Sequence, residues 1–275
     1  MARKSKPRAA RATLSAQPDA SDAFEQAHIL LADGVEAEYP AAMACLRIAA
    51  EQGHAQACND LATMLRDGLG CAPDIGEAIH WYRLSAAQDE PAAQYNLGLI
   101  YLHGIGVEAD KALAAEYLLQ AANAGDAAAM RELGTMLRLG DGIDKDIVVA
   151  AWLHLGAAED GDVAAIEELA AYFRELVPPA LGGNVHAARA LHRVYRDGLG
   201  HEANAALAWA WIRRAHDICL HDCGGPADED ANAVREDYEQ ALHAIGPADR
   251  KAGDACLEAL LRERNAPPRS QAEPM

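Results

Sequence analysis

Apolar and small residues recur along this chain with one long period. A leucine followed by a small residue occurs four times at intervals of 36 residues, at Leu61-Ala62, Leu97-Gly98, Leu133-Gly134 and Leu169-Ala170. A Gly-x-Gly begins seven residues after each of the first three leucines. Alanine pairs beginning at positions 49, 86, 121 and 157 keep nearly the same spacing. Three markers on one period indicate a repeated structural unit.

Each repeat is predicted to contain two helices. In the segment from Pro91 to His103, Leu97 and Tyr101 lie at i, i+4 and so share one face of a helix. The glycines at 104 and 106 end that helix, because glycine accepts the left-handed backbone of a helix C-cap. The second helix is predicted over about residues 111–123. A dinucleotide-binding loop also contains Gly-x-Gly, but it requires a preceding strand. Here a helix is predicted before the glycines, so we interpret them as a turn between helices.

Composition supports an all-α fold. The chain has 63 alanines in 275 residues, whereas aromatic residues make up only 5%. Alanine is the best helix former, and β-branched and aromatic residues, which sheets favour, are scarce. Small side chains also allow helices to approach one another closely.

The charge is strongly acidic, with 24 Lys and Arg against 42 Asp and Glu, a formal net charge of -18. Residues 1–20 carry a net +4, which leaves -22 for the rest of the chain. This balance disfavours nucleic-acid binding by the folded body. No membrane-spanning or secretory segment is apparent, and six cysteines in a chain of this length do not form a disulfide framework. We therefore expect a cytoplasmic protein.

The motif Ala-x-x-x-Leu-Gly-x-x-Tyr-x-x-Gly-x-Gly-Val from Ala93 to Val107, together with Trp-x-x-x-x-Ala-Ala from Trp81 to Ala87, resembles the Sel-one-like repeat. That family is related to the tetratricopeptide repeat and has a slightly longer unit. The resemblance covers about residues 22–216. It implies a right-handed α/α superhelix of antiparallel helix pairs, whose first helices line a concave groove that binds partner proteins or peptides.

The repeat is irregular in one place and fades towards the C-terminus. The step from Leu169 to Leu191 is only 22 residues, which predicts that one second helix is missing and that the solenoid changes direction near 176–184. Two prolines at 178 and 179 are expected to end the preceding helix. The predicted organisation lists a disordered basic arm at 1–20, the solenoid at 21–216, a loop at 217–230, two capping helices at 231–264 and a disordered tail at 265–275.

If the family geometry holds, residues two before and five after each marker leucine point into the groove. Read along the repeats, these positions are Asn59/Arg66, Tyr95/Leu102, Arg131/Arg138, Glu167/Arg174 and Arg189/Arg196. Six of the ten are arginine, whose planar guanidinium suits carboxylates. One interpretation is a groove that binds an acidic protein or peptide, with Tyr95 and Leu102 as its apolar floor. The other is that nearby acids such as Asp67, Glu132 and Asp197 neutralise these arginines.

Other functions have weaker support in the sequence. Catalytic motifs such as Gly-x-Ser-x-Gly and His-Glu-x-x-His are absent, so we expect no catalytic residues and no cofactor. The cluster His216, Cys219, His221 and Cys223 is the best candidate for a metal, but we favour the interpretation that small cysteines are buried against a cap, and we expect no metal site. A hydrolase or metal protein on the same repeats, or nucleic-acid or membrane tethering through the basic arm, remain alternatives. The oligomeric state stays open.

Overall fold

The computed structural model describes residues 18–32, 34–222 and 229–265. Residues 1–17 of the predicted arm, 223–228 of the predicted loop and 266–275 of the predicted tail lie outside these ranges. The chain divides into two compact units with the boundary between Asp110 and Lys111. We call them the N-terminal and the C-terminal unit. In the ranges that the structure describes, all regular structure is helical, which confirms the all-α prediction.

The described residues of the N-terminal unit form five helices, each packed on the next. They are α1 (Ala20–Leu31), α2 (Tyr39–Glu51), α3 (Ala55–Asp67), α4 (Ile75–Ala86) and α5 (Pro91–His103), with a 3-10 turn at Glu36–Glu38 before α2. Helix α5 has the bounds that its apolar pattern predicts. The core of the N-terminal unit is built mainly from alanines and leucines, and it includes the ring of Tyr82, which is fully buried.

The Gly-x-Gly turns end the first helices, as the sequence predicts. Gly104 caps α5 with a φ of +67°, and its backbone N–H donates to the Ile100 carbonyl. The second glycine of a pair serves packing as well as the turn. A Cβ on Gly70 would lie 2.8 Å from the backbone of Tyr39 and Pro40, so only glycine lets the turn after α3 approach the start of α2.

The C-terminal unit continues the alternation of helices. It contains α6 (Lys111–Asn123), α7 (Ala127–Leu139), α8 (Ile147–Glu159), α9 (Val163–Tyr172), α10 (Val177–Leu181), α11 (Val185–Asp197), α12 (Ala205–Asp222), α13 (Glu229–Ala244) and α14 (Pro247–Asn265). Helix α6 matches its predicted bounds. Trp209 and Trp211 on α12 are almost fully buried, and Trp211 is the largest of the fully buried side chains.

The short step in the repeat corresponds to a shortened second helix. A 3-10 turn at Phe173–Leu176 and the five-residue helix α10 replace a full helix between α9 and α11. We expected the prolines at 178 and 179 to end the preceding helix, but they lie in the first turn of α10. Proline is tolerated there because it lacks a backbone N–H, and the first N–H groups of a helix have no intrahelical acceptor. As a consequence α11 packs against α8, where the Trp152 indole donates to the His186 carbonyl at 3.2 Å.

The C-terminal helices differ from the expected boundaries. Helix α12 continues to Asp222, so residues 217–222, which we expected in a loop, are helical. Ile218 is buried there, and the sequence offers no helix-breaking residue before Gly224. Helices α13 and α14 both pack on α12. On α13 the buried residues among those described are Ala231, Val234 and Ala241, whereas Leu242 is 39% exposed.

Candidate partner-binding surface

Within each unit, the first helices of the repeats form a surface that we call the first-helix face of that unit. This face comprises α1, α3 and α5 in the N-terminal unit, and α7, α9 and α11 in the C-terminal unit. Each position that the sequence predicts to point into a groove lies on one of these helices or, for Arg174, in the 3-10 turn after α9. The two faces differ in chemistry, so each is considered by itself.

In the N-terminal unit this face holds an open groove of about 700 Å³. Its lining residues come from α1, α3 and the start of α5, and they are Phe24, Glu25, His28, Ile29, Gln56, Asn59, Asp60, Glu90 and Ala92. The Phe24 ring stacks on His54 with ring centres 4.3 Å apart, and Ile29 is 66% exposed. The groove therefore combines apolar side chains with three carboxylates. Of the residues predicted to bind a partner, only Asn59 lines it.

A chain of hydrogen bonds runs beside this groove from α3 to α5. The Asn96 amide donates to the Asn59 Oδ1 at 3.1 Å, and Arg66 donates to the Asn96 Oδ1 at 3.1 Å. Arg66 also donates from Nε and Nη2 to the adjacent Asp67. The hydrogen bond to Asp67 raises the pKa of Arg66 and lowers that of Asp67. The two predicted residues Asn59 and Arg66 are thus joined through Asn96.

Tyr95 and Leu102, the predicted apolar floor, are both half-buried on α5. Their neighbours Ile100 and Tyr101 point into the core and are nearly inaccessible to solvent. Tyr95 and Leu102 therefore keep part of their surface outside the core, although neither lines the groove.

In the C-terminal unit, Arg131 and Arg189 are held by carboxylates. Arg131 contacts the Asp162 Oδ2 at 3.0 Å through Nε and Glu132 at 2.8 Å through Nη1. Burial acts to lower the pKa of Arg131, but the two carboxylates outweigh it and the pKa is raised. Arg189 donates from Nε and Nη2 to the Asp237 Oδ2, at 3.0 and 2.9 Å. These pairs are at most 24% exposed, so they belong to the framework of the unit.

The remaining arginines of this face are held less firmly. Arg196 donates twice to the adjacent Asp197, and both side chains are more than a third exposed. Arg138 lies 5.5 Å from the centre of the Tyr172 ring, and its buried Nε has no hydrogen-bond acceptor among the described residues. Arg174 is exposed and lies 5.9 Å from the Phe173 ring, while Glu167 on α9 is also exposed.

A buried polar cluster lies behind the arginines, and the sequence analysis did not identify it. His154 is fully buried, with its Nδ1 2.8 Å from the Tyr172 hydroxyl and its Nε2 3.2 Å from the Arg131 carbonyl. Thr135 donates to Glu168, whose carboxylate lies 3.6 Å from the His154 Nε2. Burial lowers the pKa of His154 and raises that of Tyr172. The cluster therefore joins α7, α8 and α9 while His154 stays neutral.

The sequence signal for this cluster was the small residue after a marker leucine. A Cβ on Gly134 would lie 2.7 Å from the His154 Nε2, and the ring is fixed by its two hydrogen bonds. We expect Gly134→Ala to lower the free energy of unfolding by about 1–2 kcal/mol, since overpacking outweighs the gain in helix propensity. Urea denaturation monitored by circular dichroism measures this.

The matched control for that substitution is Gly76→Ala in the first turn of α4. A Cβ there meets only the Asp74 carboxylate at 3.4 Å, an ordinary contact. This variant should be as stable as the wild type or slightly more stable. Equal stability of the two variants would show that His154 does not require glycine at position 134.

The candidate metal cluster is only partly described. The His216 ring stacks on Tyr238 of α13 with ring centres 4.1 Å apart, and Cys219 is half-buried. Cys223 and the side chain of His221 lie outside what the structure describes. Within the described part of the chain, no group of three His, Cys, Asp or Glu side chains is placed to hold a metal ion. The same part of the chain has no helix that is long and apolar enough to cross a membrane.

The sequence model of the Sel1 repeat matches five segments of this chain, residues 28–54, 55–90, 91–126, 127–162 and 186–215. Together they cover more than half of the protein. The chain belongs to the Sel1 repeat family. In this Sel1 repeat protein the matched segments at 55–90 and 127–162 are the helix pairs α3–α4 and α7–α8. The unmatched residues 163–185 are the irregular segment with α9 and the short helix α10.

Solved structures share the fold. The Sel1 repeat protein from Oxalobacter formigenes is 22% identical, with a TM-score of 0.51, and the match covers 81% of this chain and 88% of that one. The protective antigen c5321 of uropathogenic Escherichia coli, which displays an SLR fold, is 20% identical with a TM-score of 0.54. That match covers 88% of this chain and 61% of that one. None of the curated proteins matches in sequence. Sel1 repeats are generally protein-interaction scaffolds, and these likenesses establish the fold alone.

Proposed function

We propose that this Sel1 repeat protein is a non-catalytic scaffold whose first-helix face in the C-terminal unit binds an acidic segment of a partner protein. The proposal depends on one observation. The position five residues after the marker leucine carries arginine in three successive repeats of this unit, at Arg138, Arg174 and Arg196. None of the three is fixed by a buried carboxylate.

The contacts of these arginines support exchange with a ligand. An exposed pair such as Arg196–Asp197 contributes little to stability, so a carboxylate of a partner can replace Asp197 at small cost. Arg174 is exposed beside an aromatic ring, and the guanidinium of Arg138 lies over the Tyr172 ring. Bidentate guanidinium–carboxylate bonds would supply both affinity and orientation.

The same geometry narrows the predicted set of binding residues. Arg131 and Arg189 already have carboxylate partners in half-buried surroundings, and releasing them would leave Asp162 and Asp237 uncompensated. We therefore assign them a structural role and propose contact with the partner only for the other three. In the N-terminal unit Arg66 is held by Asp67 and Asn96.

The test compares partner capture by wild type and by the double charge reversal Arg174→Glu and Arg196→Glu. Protein immobilised on beads is incubated with lysate of the source cells, and bound proteins are quantified by mass spectrometry. We expect the captured partner to fall about ten-fold or more, which corresponds to about 1.4 kcal/mol. Adding salt to the wild-type incubation should weaken capture in the same direction.

The matched control reverses an arginine away from this face. Arg262→Glu on α14 changes the net charge by the same amount per residue, at a side chain that is 80% exposed and paired only with Glu258. This variant should capture the partner like the wild type. An equal loss with the control, or no loss with the double variant, contradicts the proposed face.

A further inference from the structure

The groove in the N-terminal unit has the opposite charge character from the arginine positions. Glu25, Asp60 and Glu90 surround its apolar residues. His28 lies 3.2 Å from Asp60, but no cation among the described residues pairs with Glu25 or Glu90. Residues 18–110 carry 15 Asp and Glu against 3 Lys and Arg. The groove is therefore suited to a basic segment with some apolar side chains.

We propose that the occupant is the chain's own N-terminal segment, residues 1–17, which covers the groove of the same molecule. This segment has five basic residues, Arg3, Lys4, Lys6, Arg8 and Arg11, and no acidic residue. It also carries Leu14, an apolar side chain that suits a contact with Phe24 or Ile29. The segment and the groove are complementary in both charge and hydrophobicity.

The attachment point of the segment is next to the groove. The Pro18 carbonyl accepts a hydrogen bond from Gln52 Nε2 at 3.1 Å. Gln52 precedes Gln56 by four residues in the sequence, and Gln56 lines the groove. The distance along α1 from Ala20 to His28 is about 12 Å at the helical rise per residue. About four extended residues span that distance, so Arg11 and Arg8 reach the carboxylates without stretching the chain.

The covalent connection makes weak affinity sufficient. Covalent attachment over a short distance gives an effective concentration of about 1 mM, so a segment with a dissociation constant of about 0.1 mM would fill the groove in about nine of ten molecules. An external ligand for the groove must then displace the segment. The inference does not depend on the acidic-partner proposal, because groove and occupant both lie in the N-terminal unit.

The test uses a fluorescently labelled synthetic peptide of residues 1–17 and two forms of the full chain. One is the wild type. In the other, the five basic residues at 3, 4, 6, 8 and 11 are replaced by alanine, which we call the arm-neutral chain. Fluorescence anisotropy should show that the peptide binds the arm-neutral chain about ten-fold more tightly than the wild type, because the wild-type groove is already filled. Equal affinity for the two chains overturns the proposal.

Substitutions in the arm-neutral chain test whether the groove is the binding site. Glu25→Lys and Ile29→Ser should each weaken peptide binding at least about five-fold, since both residues are exposed lining residues. The matched controls Glu108→Lys and Leu84→Ser change exposed residues of the same unit outside the groove and should bind like the arm-neutral chain. Equal weakening by lining and control variants means unspecific charge attraction and overturns the proposal.

Two further readouts separate other occupants. Sedimentation should show the same oligomeric state for the wild type and the arm-neutral chain. Self-association of the wild type alone would place the segment in the groove of a second copy and overturn the intramolecular form. In amide NMR spectra, signals of Gln56 and Asn59 should differ between the two chains. Unchanged groove signals would leave the basic arm free for an external polyanion, such as nucleic acid, and would also overturn the proposal.

Discussion

Replacing Gly253 by leucine is expected to separate α14 from α12 and to lower the free energy of unfolding by about 3 kcal/mol. Gly253 is buried where the two helices cross. A Cβ there would lie 2.2 Å from the Ala206 carbonyl oxygen and 3.0 Å from the Trp209 ring. The nearest atom belongs to the backbone of a helix, so no side-chain rotation can relieve the contact. Gly253 thus sets the distance between the two helices.

Thermal unfolding monitored by circular dichroism measures this effect. In a protein of this size a loss of 3 kcal/mol lowers the Tm by roughly 6–12 °C. Ala252→Leu is the control, since Ala252 is the exposed neighbour on the same helix and gains the same side chain without entering the crossing. If the Gly253 and Ala252 variants melt together, the close approach of α14 to α12 does not hold this end of the protein.

Lowering the pH from 7 to 5.5 is expected to reduce the free energy of unfolding. Burial lowers the pKa values of His154 and His192, which are both almost inaccessible to solvent. The unfolded chain binds protons at these residues near pH 6.5, whereas the folded chain does not. The contribution of the two neutral histidines to the free energy of unfolding is therefore complete above about pH 6.5. It is lost as the pH falls towards their lowered pKa values.

Urea denaturation at several pH values gives the slope of the free energy of unfolding against pH. Each histidine contributes up to about 1.4 kcal/mol per pH unit to this slope. Hydrogen bonds from Arg66 and Arg47 lower the pKa values of Asp67 and Glu77. Protonation of these two carboxylates therefore affects the free energy of unfolding only at more acidic pH. A stability that is constant between pH 7 and 5.5 would contradict neutral, buried histidines.

The candidate surface was predicted from the sequence only in part. The period placed Arg138, Arg174 and Arg196 at one register position, because a side chain's face on a helix follows from its position along the helix. The period did not show that Arg131 and Arg189 are already paired. Asp162 follows Arg131 by 31 residues, and Asp237 follows Arg189 by 48, on a helix outside the repeat. No pattern within one repeat contains those contacts.

The groove of the N-terminal unit was missed for a related reason. The turn of the first repeat keeps only one glycine, Gly34, so Phe24, Glu25 and Ile29 of α1 were not aligned with the groove positions of later repeats. Their role depends on where α1 packs, which brings Phe24 onto His54 and His28 towards Asp60. The sequence shows a basic segment before an acidic unit, but it does not show the groove that we propose as the binding site of this segment.

The amino-acid sequence by itself determined the helical fold, the bounds of α5 and α6, the repeat and the family. These features depend on residues within one or two turns of each other, such as leucine at a fixed register and glycine where the backbone turns left-handed. The tertiary structure alone decided which arginines are held by carboxylates, that His154 is buried against Gly134, and that α1 completes a groove. Each of these depends on which distant helices meet, and the local pattern of a repeat does not encode that choice.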